Sequence, residues 1–118
     1  MLERQDVVIA DGGGLRLDAG KPMFELLPPD AELAIVEVFT SGARKYAPRN
    51  WERGMEWSKI IGPLRRHINK RLLGEVRDAE SGHLHTAHVA WNAIAWLTYE
   101  LRGIGTNDLP VIRRKEDK

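Results

Sequence analysis

No Asp, Glu, Lys or Arg occurs from Gly82 to Tyr99, and no other feature limits the possible folds as much. As a helix at about 1.5 Å per residue, the run approaches the thickness of a bilayer's hydrocarbon core, which raises the question of a membrane span. His83, His85, His88, Asn92, Thr86 and Thr98 argue against one, because polar groups in lipid are costly without partners. The run reads instead as a helix of a soluble protein, buried on most sides and spanning roughly His83 to Arg102. Gly103, tolerant of the left-handed conformation, suits its end.

Two further helices precede it. In "LLPPDAELAIVEVFTSGARKY", Pro28 and Pro29 suit a first turn, and Asp30 and Glu32 suit the positive end of a helix dipole. Leu33, Val36 and Phe39, flanked by Ile35 and Val38, form its apolar face, with an interruption expected at Ser41-Gly42. Residues 47–57 read as a connecting loop. Ser58 is the expected cap of a second helix, in which Ile61, Leu64, Ile68 and Leu72 keep helical spacing. Gly62-Pro63 is expected to kink that helix or to mark its true start. Residues 74–82 form a turn-rich acidic connection.

At the N-terminus, Val7–Ile9 and Leu15–Leu17 flank Asp11-Gly12-Gly13-Gly14, the pattern of a hairpin or β-arm. Gly20-Lys21 suggests a phosphate loop, but Leu15 stands where that motif needs Gly and Pro22 where it needs Ser or Thr. The fold expected is mainly α in a single domain over 1–118, with a β-arm at 1–22, a helical core at 28–103 and a C-terminal tail at 104–118 whose charged end frays. Three helices of this kind leave apolar surface with few partners. Association into a dimer or tetramer, the three-helix core joining into a larger helical bundle, is therefore expected.

The charge is unevenly placed: residues 1–40 carry net −5, residues 41–77 net +7 and residues 78–118 net −1. The basic middle suits an anionic partner, while the acidic first third disfavours nucleic acid. The chain has no cysteine, which excludes disulfides and thiolate ligands and fits a reducing cytoplasm. "MLERQDVVIA" is too acidic for a secretory signal. A cytoplasmic location is expected.

Two constellations carry chemistry. His85, His88 and Asn92 stand at i, i+3 and i+7 and share one helix face, whereas His83 lies off that face and reads as incidental. Such an imidazole pair can share a metal with His67, Glu75, Asp78 or Glu80, or it can do acid–base work near neutral pH; it can also be a satisfied set of core residues. The HExxH zinc pattern is absent. The second constellation is the cationic group Arg44, Lys45, Arg49, Arg53, Arg65, Arg66 and Lys70, with Tyr46, Asn50 and Trp51 among it. Aromatic rings beside guanidinium and ammonium donors suit a base stacked next to its phosphates. A tryptophan anchoring a loop to the core is the alternative for Trp51.

The string "LDAGKPMFELLPPDA…EVFTSGARKYAPRNWERGMEWS…LRRHINKRLLGE…DAESGHLHTAHVAWNAIAWL" resembles the phage dATP/dGTP diphosphohydrolase (MazZ-like) family over roughly residues 17–100. That family is related to the MazG-like all-α nucleoside triphosphate pyrophosphohydrolases. The resemblance implies a helical, oligomeric enzyme that needs Mg²⁺ or Mn²⁺. It would cleave a purine nucleoside or deoxynucleoside triphosphate to the monophosphate and pyrophosphate. By position its motifs map to Gly42, Lys45, Tyr46, Arg49, Asn50 and Trp51 and then to Arg66, His67, Glu75, Asp78, His85, His88 and Asn92, without assigning each a role. From the chemistry of these side chains, substrate binding is expected at Lys45, Tyr46, Arg49, Asn50, Trp51, Arg66 and Asn92. Catalytic roles fall on His67, His85 and His88, and metal ligation on Glu75, Asp78, His85 and His88.

One departure stands out. MazG-like enzymes cage metals with carboxylate pairs spaced ExxE and ExxD, whereas Glu32 and Glu37 are five apart here and His85 and His88 occupy the place of the second pair. The site is then either a mixed His, Glu and Asp centre or a non-catalytic one that binds and sequesters a nucleotide.

Overall fold

The computed structural model describes residues 7–9, 14–17 and 20–110. It is mainly helical: α1 spans Pro29–Lys45, α2 Ser58–Leu72 and α3 His85–Arg102. A 3₁₀ turn at Phe24–Leu26 precedes α1, and another at Asn50–Arg53 lies between α1 and α2. Of the segment expected as a β-arm, residues 1–6, 10–13 and 18–19 lie outside the described residues. What is described is a pair of short antiparallel strands, β1 (Val7–Ile9) and β2 (Leu15–Leu17), with Val8 opposite Arg16. The charged end of the expected tail, 111–118, also lies outside.

Several boundaries differ from expectation. Helix α1 runs unbroken through Ser41-Gly42 to Lys45; the Thr40 hydroxyl donates to the carbonyl of Val36 one turn back (2.8 Å), a bond within the helix. Helix α2 is a single element with Pro63 inside it. At the sixth position Pro63 removes one intrahelical donor near the helix start, which the rest of the helix tolerates. Helix α3 begins at His85 rather than His83, because residues 76–84 form a closed turn. There Asp78 N–H donates to His83 O (2.8 Å) and His85 N–H to Val76 O (3.0 Å).

The start of α2 is capped from a distance. Ser58 is the first helical residue, and its backbone N–H donates to Asp108 Oδ1 at 2.9 Å while its hydroxyl donates to Asp108 Oδ2. The Ser58 donors hold the Asp108 carboxyl below the usual aspartate range, as expected for a carboxylate at a helix N-terminus. The same returning segment bonds Trp57 N–H to Thr106 O (2.9 Å) and Thr106 N–H to Met55 O (3.3 Å).

Helix α3 packs against both α1 and α2. The core is centred on Ile60, Ala95 and Tyr99, with all four tryptophans around it together with Met55 and Ile104. The Tyr99 hydroxyl, fully buried, donates to Trp51 O at 2.6 Å. Trp57 Nε1–H donates to Ile104 O at 3.2 Å, while Trp96 Nε1–H is buried without a partner among the described residues. Nothing in the described helices is long and apolar enough to cross a membrane.

Candidate functional site

All four histidines of the chain meet where α2, α3 and the 74–84 turn converge. The turn makes this possible. Gly74 and Gly82 adopt positive φ (107° and 78°), and Arg77 pairs with Leu84 across it. The reversal brings Glu75 back onto the first residue of α3. His85 Nε2 lies 2.6 Å from Glu75 Oε1, and His85 Nδ1 lies 2.8 Å from His67 Nδ1 on α2. The His67 ring stacks face to face on His88, with centroids 4.3 Å apart and planes within 4°.

His88 Nε2 in turn meets the Ser81 hydroxyl at 2.8 Å, with Asp78 Oδ2 at 4.0 Å. Asp78 also accepts the Ser81 N–H at 2.9 Å. His83 proves to be part of the cluster rather than incidental: its Nε2 lies 2.7 Å from the Ser41 hydroxyl on α1, and its ring stands edge-on to His88. Helical spacing could not place it, because His83 sits in the turn and not on α3. Ser41 and Ser81 were likewise invisible to motif reasoning; the one local signal was Ser81 three residues after Asp78, the spacing of an aspartate-stabilised turn.

The cluster is electrostatically tense. Burial, reinforced by the neighbouring His88 and His85, pulls the His67 pKa down to about 4. Burial also lowers the pKa of His88, even though Asp78 favours its charged form. Asp78 is itself partly desolvated, yet the Ser81 hydrogen bonds and the nearby imidazoles win and hold it below the usual range. His85 is completely buried.

An open cleft of about 1200 Å³ connects this cluster to the basic segment. His67, Asp78, His83, His88 and Asn92 line one part of it, and Lys45, Tyr46, Arg49, Asn50 and Trp51 another. Glu75, His85 and Arg66 do not line it: His85 bonds to His67 and to Glu75, and the Arg66 guanidinium lies beside Gly62 on α2.

Lys45, Tyr46, Arg49 and Asn50 are exposed at the rim, with the Lys45 ammonium 5.3 Å from the Tyr46 ring centroid. Trp51 is a core anchor, its ring within 5.8–6.1 Å of Phe39, Trp91 and Tyr99, which leaves Tyr46 as the freer aromatic surface. Asn92 is buried and donates to His88 O at 2.8 Å, so it steadies α3 under the cluster.

Arg49 has positive φ (61°), the one non-glycine among the described residues to do so, and such strain concentrates at sites. Its guanidinium pairs with Glu52 at 2.9 Å, and Arg102 pairs with the same carboxylate at 2.8 Å. The Arg102 hydrogen bond, then the charges of both arginines, hold Glu52 below the usual glutamate range. Neither Glu52 nor Arg102 carried a motif.

His67, Asp78 and His85 each bring a potential ligand atom within 4.8 Å of the others. Their donor set does not fit a cage for Mg²⁺ or Mn²⁺. Those ions favour several oxygen ligands, and the group offers one carboxylate. Both nitrogens of His85 are bonded, one to Glu75 and one to His67, and His88 Nε2 is bonded to Ser81. Within the expected ligand set of Glu75, Asp78, His85 and His88, one oxygen of each carboxylate, both His85 nitrogens and His88 Nε2 make internal hydrogen bonds.

A family model described as dATP/dGTP diphosphohydrolase, N-terminal, matches residues 11–109. The chain belongs to this family. Among relatives of the dATP/dGTP diphosphohydrolase family, the chain is similar to the dATP/dGTP diphosphohydrolase of Salmonella phage PMBT28, with 26% identity over 95 residues. That alignment covers 80% of this chain and 32% of the phage protein, so the chain spans about a third of that relative's length. No solved structure matches it.

Proposed function

We propose that the cleft binds a purine deoxynucleoside triphosphate and hydrolyses it between the α and β phosphates, giving the monophosphate and pyrophosphate. The observation that carries this reading is the shared cleft: an exposed rim of Lys45, Tyr46 and Arg49 opens onto the same space as His67 and His88. The name printed for the phage relative, dATP/dGTP diphosphohydrolase, supports the substrate class. Lys45 and Arg49 would neutralise phosphate oxygens, and Tyr46 would border the base. Phosphoryl transfer needs mainly positioning and charge stabilisation, with a group to orient the attacking water. The imidazoles supply that group. Any divalent cation would have to be held mostly by the triphosphate, since the protein donors do not form a cage for it.

Incubating the purified protein with a panel of dNTPs and NTPs in Mg²⁺ or Mn²⁺, then separating the products, tests the reading. Monophosphate and pyrophosphate from dATP or dGTP are expected. An intact nucleotide retained by the protein identifies a sequestering module instead.

We also infer association of copies of this chain. Among the described residues five apolar ones are buried, whereas fourteen large hydrophobics are exposed, Leu33, Val36, Leu97 and Leu101 on α1 and α3 among them. Exposed apolar surface on this scale marks a contact surface.

A further inference from the structure

Arg49, Glu52 and Arg102 all line the cleft, and their side chains form one ionic group. Arg49 Nη1 donates to both Glu52 oxygens (3.1 and 2.9 Å), and Arg102 Nη1 donates to Glu52 Oε1 at 2.8 Å. The carboxylate is mostly covered, at 17% exposure, whereas the Arg49 and Arg102 side chains are 78% and 52% exposed. Ion pairs with arginines as exposed as these add little to stability, so the group calls for another role. One carboxylate against two guanidiniums leaves it a net positive charge. The Nε and Nη2 donors of both arginines also make no hydrogen bond among the described residues, and such donors suit the oxygens of a phosphate.

The backbone beneath the group is held firmly. Arg49 precedes the 3₁₀ turn Asn50–Arg53 in the left-handed region (φ 61°, ψ 17°), a conformation that glycine would adopt with less strain. The turn is tied to α3 by the buried Tyr99, whose hydroxyl donates to Trp51 O at 2.6 Å. Gly54 closes the turn with φ 96°, and a Cβ there would lie 2.9 Å from Gly105 N. Glu52 thus joins one guanidinium from a fixed turn to another from the last turn of α3.

We propose that Arg102 is a further substrate-binding residue that grips the phosphate chain of the nucleotide together with Arg49, and that Glu52 is a positioning residue that holds the two guanidiniums for it. The proposal rests on the reading of the cleft as a nucleotide site and deepens it. Two free arginines would lose side-chain freedom on gripping a phosphate, and the shared carboxylate removes part of that freedom beforehand. The negative charge of Glu52 acts the other way, against an anionic ligand. Its two effects therefore have opposite signs. If charge dominated, removing it would tighten phosphate binding; if orientation dominates, removing it weakens binding despite the added positive charge.

Steady-state kinetics with dATP and competition by inorganic tripolyphosphate test this. Arg102→Ala is expected to raise both the KM for dATP and the inhibition constant of tripolyphosphate about 10- to 100-fold, the loss of charge-assisted hydrogen bonding, with kcat changed much less. Arg102→Lys keeps the charge without the planar fork and should recover only part of that loss. Glu52→Gln should raise both constants about tenfold, while an unaltered circular dichroism spectrum shows the fold retained. Inhibition by deoxyadenosine, which has no phosphate, should stay the same in all three variants. Unchanged tripolyphosphate inhibition in Arg102→Ala, weakened deoxyadenosine inhibition in that variant, or tighter tripolyphosphate inhibition in Glu52→Gln overturns the proposal and leaves the hydrolase reading standing. A wild-type protein that hydrolyses no nucleotide overturns that reading instead, and the proposal is then decided by calorimetric binding of tripolyphosphate to the same variants, with the same expected losses.

Discussion

His67 is a half-buried imidazole whose surroundings resist its protonation, and this has a consequence for stability. Its folded pKa is about 4 against 6.5 for the free group, with burial the main cause. Between those values the unfolded chain binds a proton that the folded one does not, so stability falls as pH drops from about 6.5 towards 4 and is flat above. The lowered pKa of His88 acts in the same direction. Thermal melts across this range should show a falling Tm, and His67→Gln should flatten the slope; an equally steep slope in that variant would locate the effect elsewhere. The stacked pair was only partly legible in sequence. The spacing of His85, His88 and Asn92 correctly puts them near one another on α3, since helical period is local. That His85 bonds inward to Glu75 and His67 depends on the chain reversal at Gly74 and Gly82.

At the scale of elements, α2 carries His67 and is held at its start by the returning segment after α3. The crossing is tight. A Cβ on Gly105, whose φ is +78°, would lie 2.6 Å from Met55 O and 3.0 Å from Trp57 Nε1. Gly105→Ala should therefore cost about 2–4 kcal/mol in denaturant unfolding, since both backbone strain and a backbone clash oppose it. Asp108→Ala removes the capping acceptor and should cost about 1 kcal/mol. A loss below about 0.5 kcal/mol in both variants would show the segment to be dispensable. Along the sequence alone, 104–118 reads as a tail. A glycine and an aspartate say nothing of a partner 50 residues away until the backbone brings them together.

For the whole molecule, the decisive contrast is between a small buried core and extensive exposed apolar surface. Burying an exposed leucine contributes about 1.5–3 kcal/mol, which is the driving force behind the proposed association of copies. Light scattering should give a mass above the 13.4 kDa of one chain. A double substitution, Leu97→Glu with Leu101→Glu, should shift it towards the monomer. A wild-type monomer at micromolar concentration would refute the association.

Legible along the chain are the helical class, the approximate extents of α1, α2 and α3, the family, and most of the residues that meet at the cleft. Hydrophobic period, proline and glycine punctuation, and clustered charge act within a few residues of one another, so they can be read along the chain. Only the folded chain shows that His83 joins the cluster, that Trp51 is an anchor while Tyr46 stays free, and that Glu75 is hydrogen-bonded to His85. These outcomes depend on distances across the fold, where one hydrogen bond commits a nitrogen and removes it from every other role.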